Sequence, residues 1–255
     1  MSKYFAWDYT GAPFQLFGPA HIAALLALIL IGYGLLQFKN ADERTRRKVS
    51  IALGVFLWIN ESIWHLWNAY WGHWNIQTLL PLNACSILIW LGGFMFIFKN
   101  YTIYEFVYFM GMGGAFQYLM TPDLGIYGFP HFRYWQTFLA HGILFISPIY
   151  MTVVEGFRPT WKSFWRVIIG SNIYMGFVFF INLAIGSDYL FINGKPATAS
   201  ILDLLPPWPV YILYMEALGF ITFLILYSPF IVKDWRMKNA PVTRTTDGSG
   251  FGLDE

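Results

Sequence analysis

Seven long runs of apolar residues recur along the chain, separated by short polar segments. A run of about 20 apolar residues, wound as a helix, crosses the roughly 30 Å hydrocarbon core of a bilayer. Trp or Tyr stands at most of the ends of these runs, as is typical of residues at the headgroup boundary. The pattern predicts an all-α, polytopic membrane protein with seven transmembrane helices, at residues 17–38, 49–71, 79–98, 103–120, 134–154, 167–185 and 208–232.

The charges of the loops predict the orientation of this bundle. If the helices alternate in direction, every Lys and Arg except Lys3, Arg133 and Lys195 falls on one side of the membrane. Basic loops stay on the cytoplasmic side, so we expect the N-terminus outside and the C-terminus inside. The predicted organisation is an extracellular segment 1–16, a transmembrane domain 17–232 and a disordered cytoplasmic tail 233–255, in a multi-pass protein of the cell membrane.

Composition supports this class and excludes others. Of the 255 residues, 57% are hydrophobic and only 12% are charged, about half the charge of an average soluble domain. The net charge of +2 is spread over loops, so the chain lacks the basic patch of a nucleic-acid-binding protein. A single cysteine excludes an intrachain disulfide and a multi-cysteine metal site.

Polar side chains from different helices fall at one depth in the outer leaflet. A rise of about 1.5 Å per residue places Cys85, His65 and His141 roughly 8 to 10 Å below the outer boundary. Glu61, His65 and Asn68 share one face of the second helix. Such residues either hold helices together by hydrogen bonds or line a polar chamber, and their number favours a chamber. Its candidate substrate-binding or orienting residues are Asn83, Glu61, His65, Gln117, Gln136 and Asn182.

The stretch LPLNACSILIW holds the only cysteine, Cys85, just inside the third predicted helix. A lone cysteine in an apolar helix is usually a packing residue. Here the start of the helix favours the thiolate, Asn83 is a possible donor to an oxyanion, and a histidine at the same depth could accept the thiol proton. These features make Cys85 a candidate nucleophile with His141 as its base.

The stretch LMTPDLGIYGFPHFRYWQTFLAHG allows a different interpretation. Asp123, His131 and His141, together with His65 and Glu61, could supply metal ligands. The stretch has no H-E-x-x-H motif or comparably close pair of histidines, which disfavours a metal site. We therefore expect no metal and no cofactor. The favoured alternative is that a loop covers the chamber, built from Pro122, Asp123, Pro130 and Arg133. Asp123 and His131 are candidate substrate-binding or orienting residues of this loop, and His131 is equally well explained as a simple loop residue.

Several of these stretches together resemble the YwaF family of bacterial integral membrane proteins. They are FGPAHI at 17–22, LPLNACSI at 80–87, TPDL at 121–124, FPHFRYWQTFLAHG at 129–142 and DYLFINGKPATASILDLLPPWPVYIL at 188–213. That family is similar to eukaryotic transmembrane protein 164, an acyltransferase of membrane phospholipids. It resembles more distantly the androgen-induced-type lipid hydrolases. The resemblance implies a catalytic cysteine at Cys85 and its paired histidine at His141.

The leading functional hypothesis is a lipid acyltransferase or transacylase that works through an acyl-thioester on Cys85. We expect it to bind a membrane phospholipid or lysophospholipid and not to bind nucleic acid. The alternative is a non-enzymatic seven-helix transporter or ligand receptor that uses the same chamber. The lipid donor and acceptor, the choice between transfer and hydrolysis, and the oligomeric state all stay open at this point.

Overall fold

The computed structural model describes residues 3–195 and 201–238, and these ranges contain helices and turns but no strand. A π turn at Val107–Gly111 joins the fourth helix to the fifth without a break. Short 3-10 turns lie at Lys3–Phe5, Gln37–Asn40, Tyr189–Phe191 and Ile201–Leu204. The α-helices of the described ranges, α1 to α8 in order, are Pro19–Leu36, Glu43–Tyr70, Ala84–Phe98, Tyr101–Phe106, Met112–Met120, Phe132–Val153, Trp161–Ile185 and Val210–Lys238.

Helices occupy each of the seven predicted apolar segments, which confirms the all-α class. Within the described residues, five helices are long and apolar enough to cross a membrane, namely α1, α2, α6, α7 and α8. The apolar α3 is shorter, and α4, the π turn and α5 share the fourth segment. The chain is therefore a multi-pass membrane protein. Of the predicted tail, residues 233–238 continue α8, and residues 239–255 lie outside the described residues.

Local hydrogen bonds explain where several helices begin and end. Asp42 caps α2 by accepting a bond from the Thr45 backbone N–H at 3.0 Å, and Asn100 caps α4 in the same way. Thr160 and Ser163 form a reciprocal capping box at the start of α7. That helix ends at Gly186, whose φ of 66° lies in the left-handed region that glycine adopts without steric cost.

The third helix begins at Ala84, five residues later than the apolar run predicts. Pro81 has no N–H to donate, and it disfavours helical geometry in the residue before it. Asn83 is extended, with φ −69° and ψ 147°, and forms the N-cap of α3. Cys85 is consequently the second residue of the helix, so it lies among backbone N–H groups that have no intrahelical acceptor.

The bundle is organised around α6. In its most apolar stretch 72% of the residues are buried, against 11% in α1 and in α7. Helices α2 and α3 pack closely against each other: a side-chain carbon at Gly54 would lie 2.8 Å from the Gly93 carbonyl oxygen, and one at Gly93 would collide with the Trp58 indole of α2. Helix α6, α2, α3 and the π turn therefore form the core, with α1, α7 and α8 at the periphery.

The peripheral helices turn large apolar side chains outward. About 70% of the surface of each of three such residues is exposed, namely Leu30 of α1, Phe180 of α7 and Leu213 of α8. Apolar surface on this scale is stable next to lipid chains and not next to water. The outer faces of these helices are therefore lipid-facing surfaces.

The two ends of the bundle are built differently. At one end, the N-terminal segment is held to α2, where the indole N–H groups of Trp67 and Trp71 both donate to the Phe5 carbonyl oxygen. At the other end, Lys99 pairs with Glu155 at 2.7 Å, and buried Glu105 is bonded by Ser163 and Arg166. The second end is the one whose loops carry most of the basic residues.

Candidate functional site

A cavity of about 440 Å³ lies between α2, α3, α5 and α6, next to the 3-10 turn at Tyr189–Phe191 and to Met215 of α8. Polar groups from separate helices meet there within an otherwise apolar bundle. Five residues that the sequence singles out line its wall, namely Glu61, Asn83, Cys85, Gln136 and His141. The cavity lies toward the end of the bundle that the N-terminal segment covers.

Cys85 reaches the cavity from the first turn of α3, with Ala84 and Ser86 beside it on the wall. The N-cap Asn83 does not use its side chain to cap the helix. Its Oδ1 instead accepts a bond from the Leu190 backbone N–H at 3.1 Å. The first N–H groups of α3 thus have no side-chain cap, and they give this part of the cavity a partial positive charge that suits an oxyanion.

His141 lies on the α6 side of the same cavity and is held in a defined orientation. Its Nδ1–H donates to the Thr137 carbonyl oxygen at 3.0 Å, because a carbonyl can only accept. The Tyr118 ring stacks on the imidazole, with 3.8 Å between the centroids and 8° between the planes. In the neutral ring, Nε2 therefore carries the lone pair and is the nitrogen available to accept a proton.

The structure brings Cys85 and His141 into one cavity but does not join them directly. Within the described ranges, no hydrogen bond links the Cys85 sulfur to the His141 ring. Catalytic hydrogen bonds are often long in a structure without substrate and become short in the complex.

A cation and its partners form a further part of the wall. The Arg133 guanidinium lies 3.6 Å from the centroid of the Trp64 ring, and it donates to the Gln136 side-chain oxygen. Gln136 in turn donates to Asn60 of α2 at 2.9 Å. The Glu61 carboxyl, which is 3% exposed, interacts with the Arg133 charge and with the Ser86 hydroxyl. The cavity wall therefore includes one basic and one acidic side chain.

His65 stands beside Glu61 rather than on the cavity wall. Its Nδ1 accepts the indole N–H of Trp74 at 3.1 Å, and its Nε2 lies 3.8 Å from the Glu61 carboxylate. The sequence-based grouping of Glu61 and His65 on one helix face is therefore confirmed by their contact. His65 can orient Glu61 but does not itself line the cavity.

Gln117 and Asp123 lie away from the cavity lining. Both side chains are exposed. The Gln117 carbonyl oxygen accepts a hydrogen bond from the Thr121 hydroxyl, and the Asp123 carbonyl oxygen accepts one from the Tyr118 hydroxyl. On α5 the neighbouring aromatic residue, Tyr118, occupies the wall instead of Gln117.

His131 is buried and holds the N-terminal segment. It caps α6, where its Nδ1 accepts the Arg133 backbone N–H at 3.1 Å, while its Nε2–H donates to the Ala6 carbonyl at 3.0 Å. Burial lowers the pKa of His131 below its usual value, and the Arg133 charge lowers this pKa further against the opposing effect of the Ala6 bond. His131 is thus a neutral structural residue at the edge of the site.

Asn182 is also buried, and it organises the turn that follows α7. Its Oδ1 accepts bonds from the Ser187 hydroxyl and from the Tyr189 backbone N–H, while its Nδ2 donates to the Tyr189 carbonyl. This turn carries Leu190, which touches the cavity and bonds Asn83. Asn182 therefore fixes the turn that contributes Leu190 to the cavity wall.

No group of three or more His, Cys, Asp or Glu side chains that could hold a metal ion occurs in residues 3–195 and 201–238. Glu61 and His65 contact each other, whereas His131 points to the N-terminal segment and His141 to Thr137. The residues considered as metal ligands are therefore divided between separate sets of contacts.

The family of the chain is decided by comparison with family models. The TMEM164 family model matches residues 16–227. The chain belongs to the TMEM164 family. The match runs from the residues before α1 into α8, so that every residue of the cavity lies within the part shared with the TMEM164 family. Neither a curated protein nor a solved structure matches the chain.

Within this TMEM164-family chain, sequence reasoning missed Trp64 and Tyr118 as cavity residues and assigned Arg133 to a covering loop rather than to the cavity wall. One signal was present for Arg133. The positions 133, 136, 137, 140 and 141 follow the i, i+3, i+4, i+7, i+8 spacing of a single helix face, and all five residues line the cavity. Trp64 and Tyr118 are aromatic residues in aromatic-rich helices, so composition gave no means of separating them from packing residues.

Proposed function

We propose that this TMEM164-family membrane protein is a lipid acyltransferase that uses Cys85 as nucleophile and His141 as base. The observation that carries the proposal is their position on the wall of one cavity, with His141 Nε2 available as an acceptor. A thiol and an imidazole at one site are sufficient for covalent acyl transfer. Family membership supports a membrane protein of this type, and the activity itself is our inference.

The first half of the reaction transfers an acyl group to the enzyme. The Cys85 sulfur attacks the ester carbonyl of a phospholipid while its proton passes to His141 Nε2. A carbon–sulfur bond forms, and the ester carbon–oxygen bond then breaks. The departing lipid oxygen takes the proton from His141, so that a lysolipid leaves and an acyl-thioester remains on Cys85.

The second half restores the thiol. A hydroxyl group of a lysolipid attacks the thioester carbonyl and gives its proton to His141 Nε2. The carbon–sulfur bond breaks, a new ester forms, and the proton returns to the Cys85 sulfur. Water in place of the lysolipid would give a free fatty acid by the same steps, so exclusion of water from the cavity favours transfer.

The first turn of α3 supports the charge that develops in both halves. Its N–H groups carry no side-chain cap, and Asn83 lies next to them on the cavity wall. Preorganised donors of this kind are worth about 10²–10³ in rate each where they have been removed from other enzymes. Arg133 and Glu61, held by Gln136 and His65, are suited to orient the polar headgroup of the substrate.

We further propose seven spans with the N-terminus outside, which puts the cavity in the outer leaflet of the cell membrane. The basic loops at the opposite end of the bundle support this orientation. A substrate would then arrive laterally from the bilayer. The finer resemblance to the YwaF proteins and, more distantly, to the androgen-induced-type hydrolases is part of this proposal.

Intact-protein mass spectrometry tests the central step. Purified protein incubated with phospholipid is expected to gain the mass of one fatty acyl group, which peptide mapping places on Cys85. Cys85→Ala should gain none. An acyl group on a different residue would remove Cys85 from the mechanism. Absence of any adduct or turnover with a broad lipid mixture would favour the receptor or transporter alternative.

A further inference from the structure

A second cleft lies between α7 and α8 where both approach the π turn. It encloses about 400 Å³, and its lining includes Met110, Ile168, Ser171, Met215, Glu216 and Phe220. Met215 also lines the cavity that holds Cys85 and His141. The two spaces therefore share Met215 as a lining residue, and the unbranched methionine side chain can change conformation easily.

The cleft contains a carboxyl group within a lipid-facing part of the bundle. Glu216 is the only acidic residue between Val210 and Lys233 in α8. Asn172 of α7 donates from Nδ2 to Glu216 Oε2 at 3.1 Å, and the same nitrogen donates to the Ile168 carbonyl. An ionisable side chain costs about 2.5–3.5 kcal/mol in mid-bilayer, so a position of this kind indicates a function.

The hydrogen bonds already made in the cleft define what it can still bind. Within the described ranges, Glu216 Oε1 and Asn172 Oδ1 have no hydrogen-bond partner, and both are acceptors. The Ser171 hydroxyl uses its proton on the Ile168 carbonyl. The polar atoms that remain free are thus acceptors, so they match a group that donates hydrogen bonds.

The same part of the cleft is open. A side-chain carbon added at Gly219, a lining residue one turn beyond Glu216, would have no atom within 4 Å. Ile173, beside Asn172, is 69% exposed on the lipid-facing surface. A lipid chain can therefore lie in the space between the two helices while its polar group contacts Glu216.

We propose that the α7–α8 cleft admits the hydroxyl-bearing lipid that accepts the acyl group, and that Glu216 holds its free hydroxyl. This inference rests on the proposed acyl transfer, since a hydroxyl acceptor is what that reaction requires. A lysophospholipid carries such a hydroxyl, and its single chain fits an opening between two helices. The hydroxyl passes Met215 to reach the thioester on Cys85.

Native mass spectrometry of the purified protein tests this site without requiring turnover. The probes are lysophosphatidylcholine, which has a free hydroxyl, diacyl phosphatidylethanolamine, which has a donating ammonium, and diacyl phosphatidylcholine, which has neither. Wild type is expected to retain lysophosphatidylcholine about tenfold more than diacyl phosphatidylcholine, a difference at the upper end of what one hydrogen bond contributes. Glu216→Met should abolish this preference.

Filling the cleft gives a second, independent variant. Gly219→Leu adds a side chain where no atom is within 4 Å, so it should fold normally and still lose the preference. Gly34→Leu on α1 is the matched control, because Gly34 is equally unobstructed and lies far along the sequence on a peripheral helix. It should retain lysophosphatidylcholine as wild type does.

The outcomes separate this inference from the proposed function. Unchanged preference in Glu216→Met, or equal retention of the three lipids by wild type, would overturn the hydroxyl site. Preferential retention of phosphatidylethanolamine would also overturn it, in favour of an ammonium site. If the preference depends on Glu216 but Cys85 never becomes acylated, the hydroxyl-binding site stands and the acyltransferase proposal fails.

Discussion

The ring of Tyr118 lies parallel to the ring of His141, with 3.8 Å between their centroids. Together with the bond from Nδ1 to the Thr137 carbonyl, this stack fixes both the tilt of the imidazole and the nitrogen that accepts protons. Tyr118 thus positions the proposed base without a hydrogen bond to it. The stack links α5 to α6 at the site.

Loss of this stack should weaken catalysis more than binding. An aromatic pair contributes about 0.5–1.5 kcal/mol beyond its buried area, so Tyr118→Leu should lower kcat by up to about tenfold. Tyr118→Phe keeps the stack and should stay within about twofold of wild type. The measurement is acyl transfer from labelled phospholipid at saturating substrate. Equal losses in the two variants would show that the hydroxyl, and not the stack, matters.

Cys85 and His141 should behave as one catalytic unit. Cys85→Ser should lose most acyl transfer, because a hydroxyl needs far stronger base assistance than a thiol. His141→Ala should lose activity as well, and the double variant should be no worse than the more damaged single one. A steady-state assay of the three variants gives the comparison. Additive losses, or full turnover by Cys85→Ser, would contradict the proposed mechanism.

The orientation predicts which introduced cysteines an impermeant maleimide can label in intact cells. In a Cys85→Ser background, cysteine in place of Gln77 should be labelled from outside, and cysteine in place of Arg44 should be labelled only after permeabilisation. Both positions are exposed and lie at opposite ends of the bundle. The reverse pattern would move the cavity to the inner leaflet.

Acidification should loosen the N-terminal segment through His131. Its pKa is lowered from 6.5 in the folded protein, so below about pH 6.5 the unfolded chain binds a proton that the folded chain does not. Stability is therefore complete above that pH and falls as the pH decreases toward the folded pKa. Thermal unfolding in detergent at pH 8 and pH 5 measures this loss.

His131→Asn is the matched variant for that experiment. Asparagine is a good N-cap, so it keeps an acceptor for the first turn of α6 while removing the titrating ring. The melting temperature of this variant should depend less on pH than that of wild type. An identical pH dependence would assign the effect to a different group.

Sequence could predict the helices and the depth of the site, because both depend on hydrophobic run length and on the rise of a helix. The same depth arithmetic placed Cys85 and His141 together, and they line one cavity. Depth does not give the direction in which a side chain points. Asn182 lies at a suitable depth, yet local backbone groups take up its hydrogen bonds.

The side-chain direction of Gln117 in α5 could not be predicted from the sequence. The π turn at Val107–Gly111 holds more residues per turn than an α turn, so the residues after it are displaced by about one position relative to a regular helix. A regular continuation of α4 would place Gln117 where Tyr118 now lies. Polarity pointed to Gln117, and the π turn, which has no simple sequence signal, brought Tyr118 to the cavity.

The π turn therefore makes the site sensitive to the number of residues in the chain as well as to their identity. Deletion of Met110 would let α4 and α5 merge into one regular helix while both of its ends stayed anchored by their neighbours. Tyr118 would then keep its place beside His141, whereas loss of the π turn without a deletion would bring Gln117 there instead. Relatives of equal length that lack the π turn would carry a different partner for the histidine without any substitution at the site.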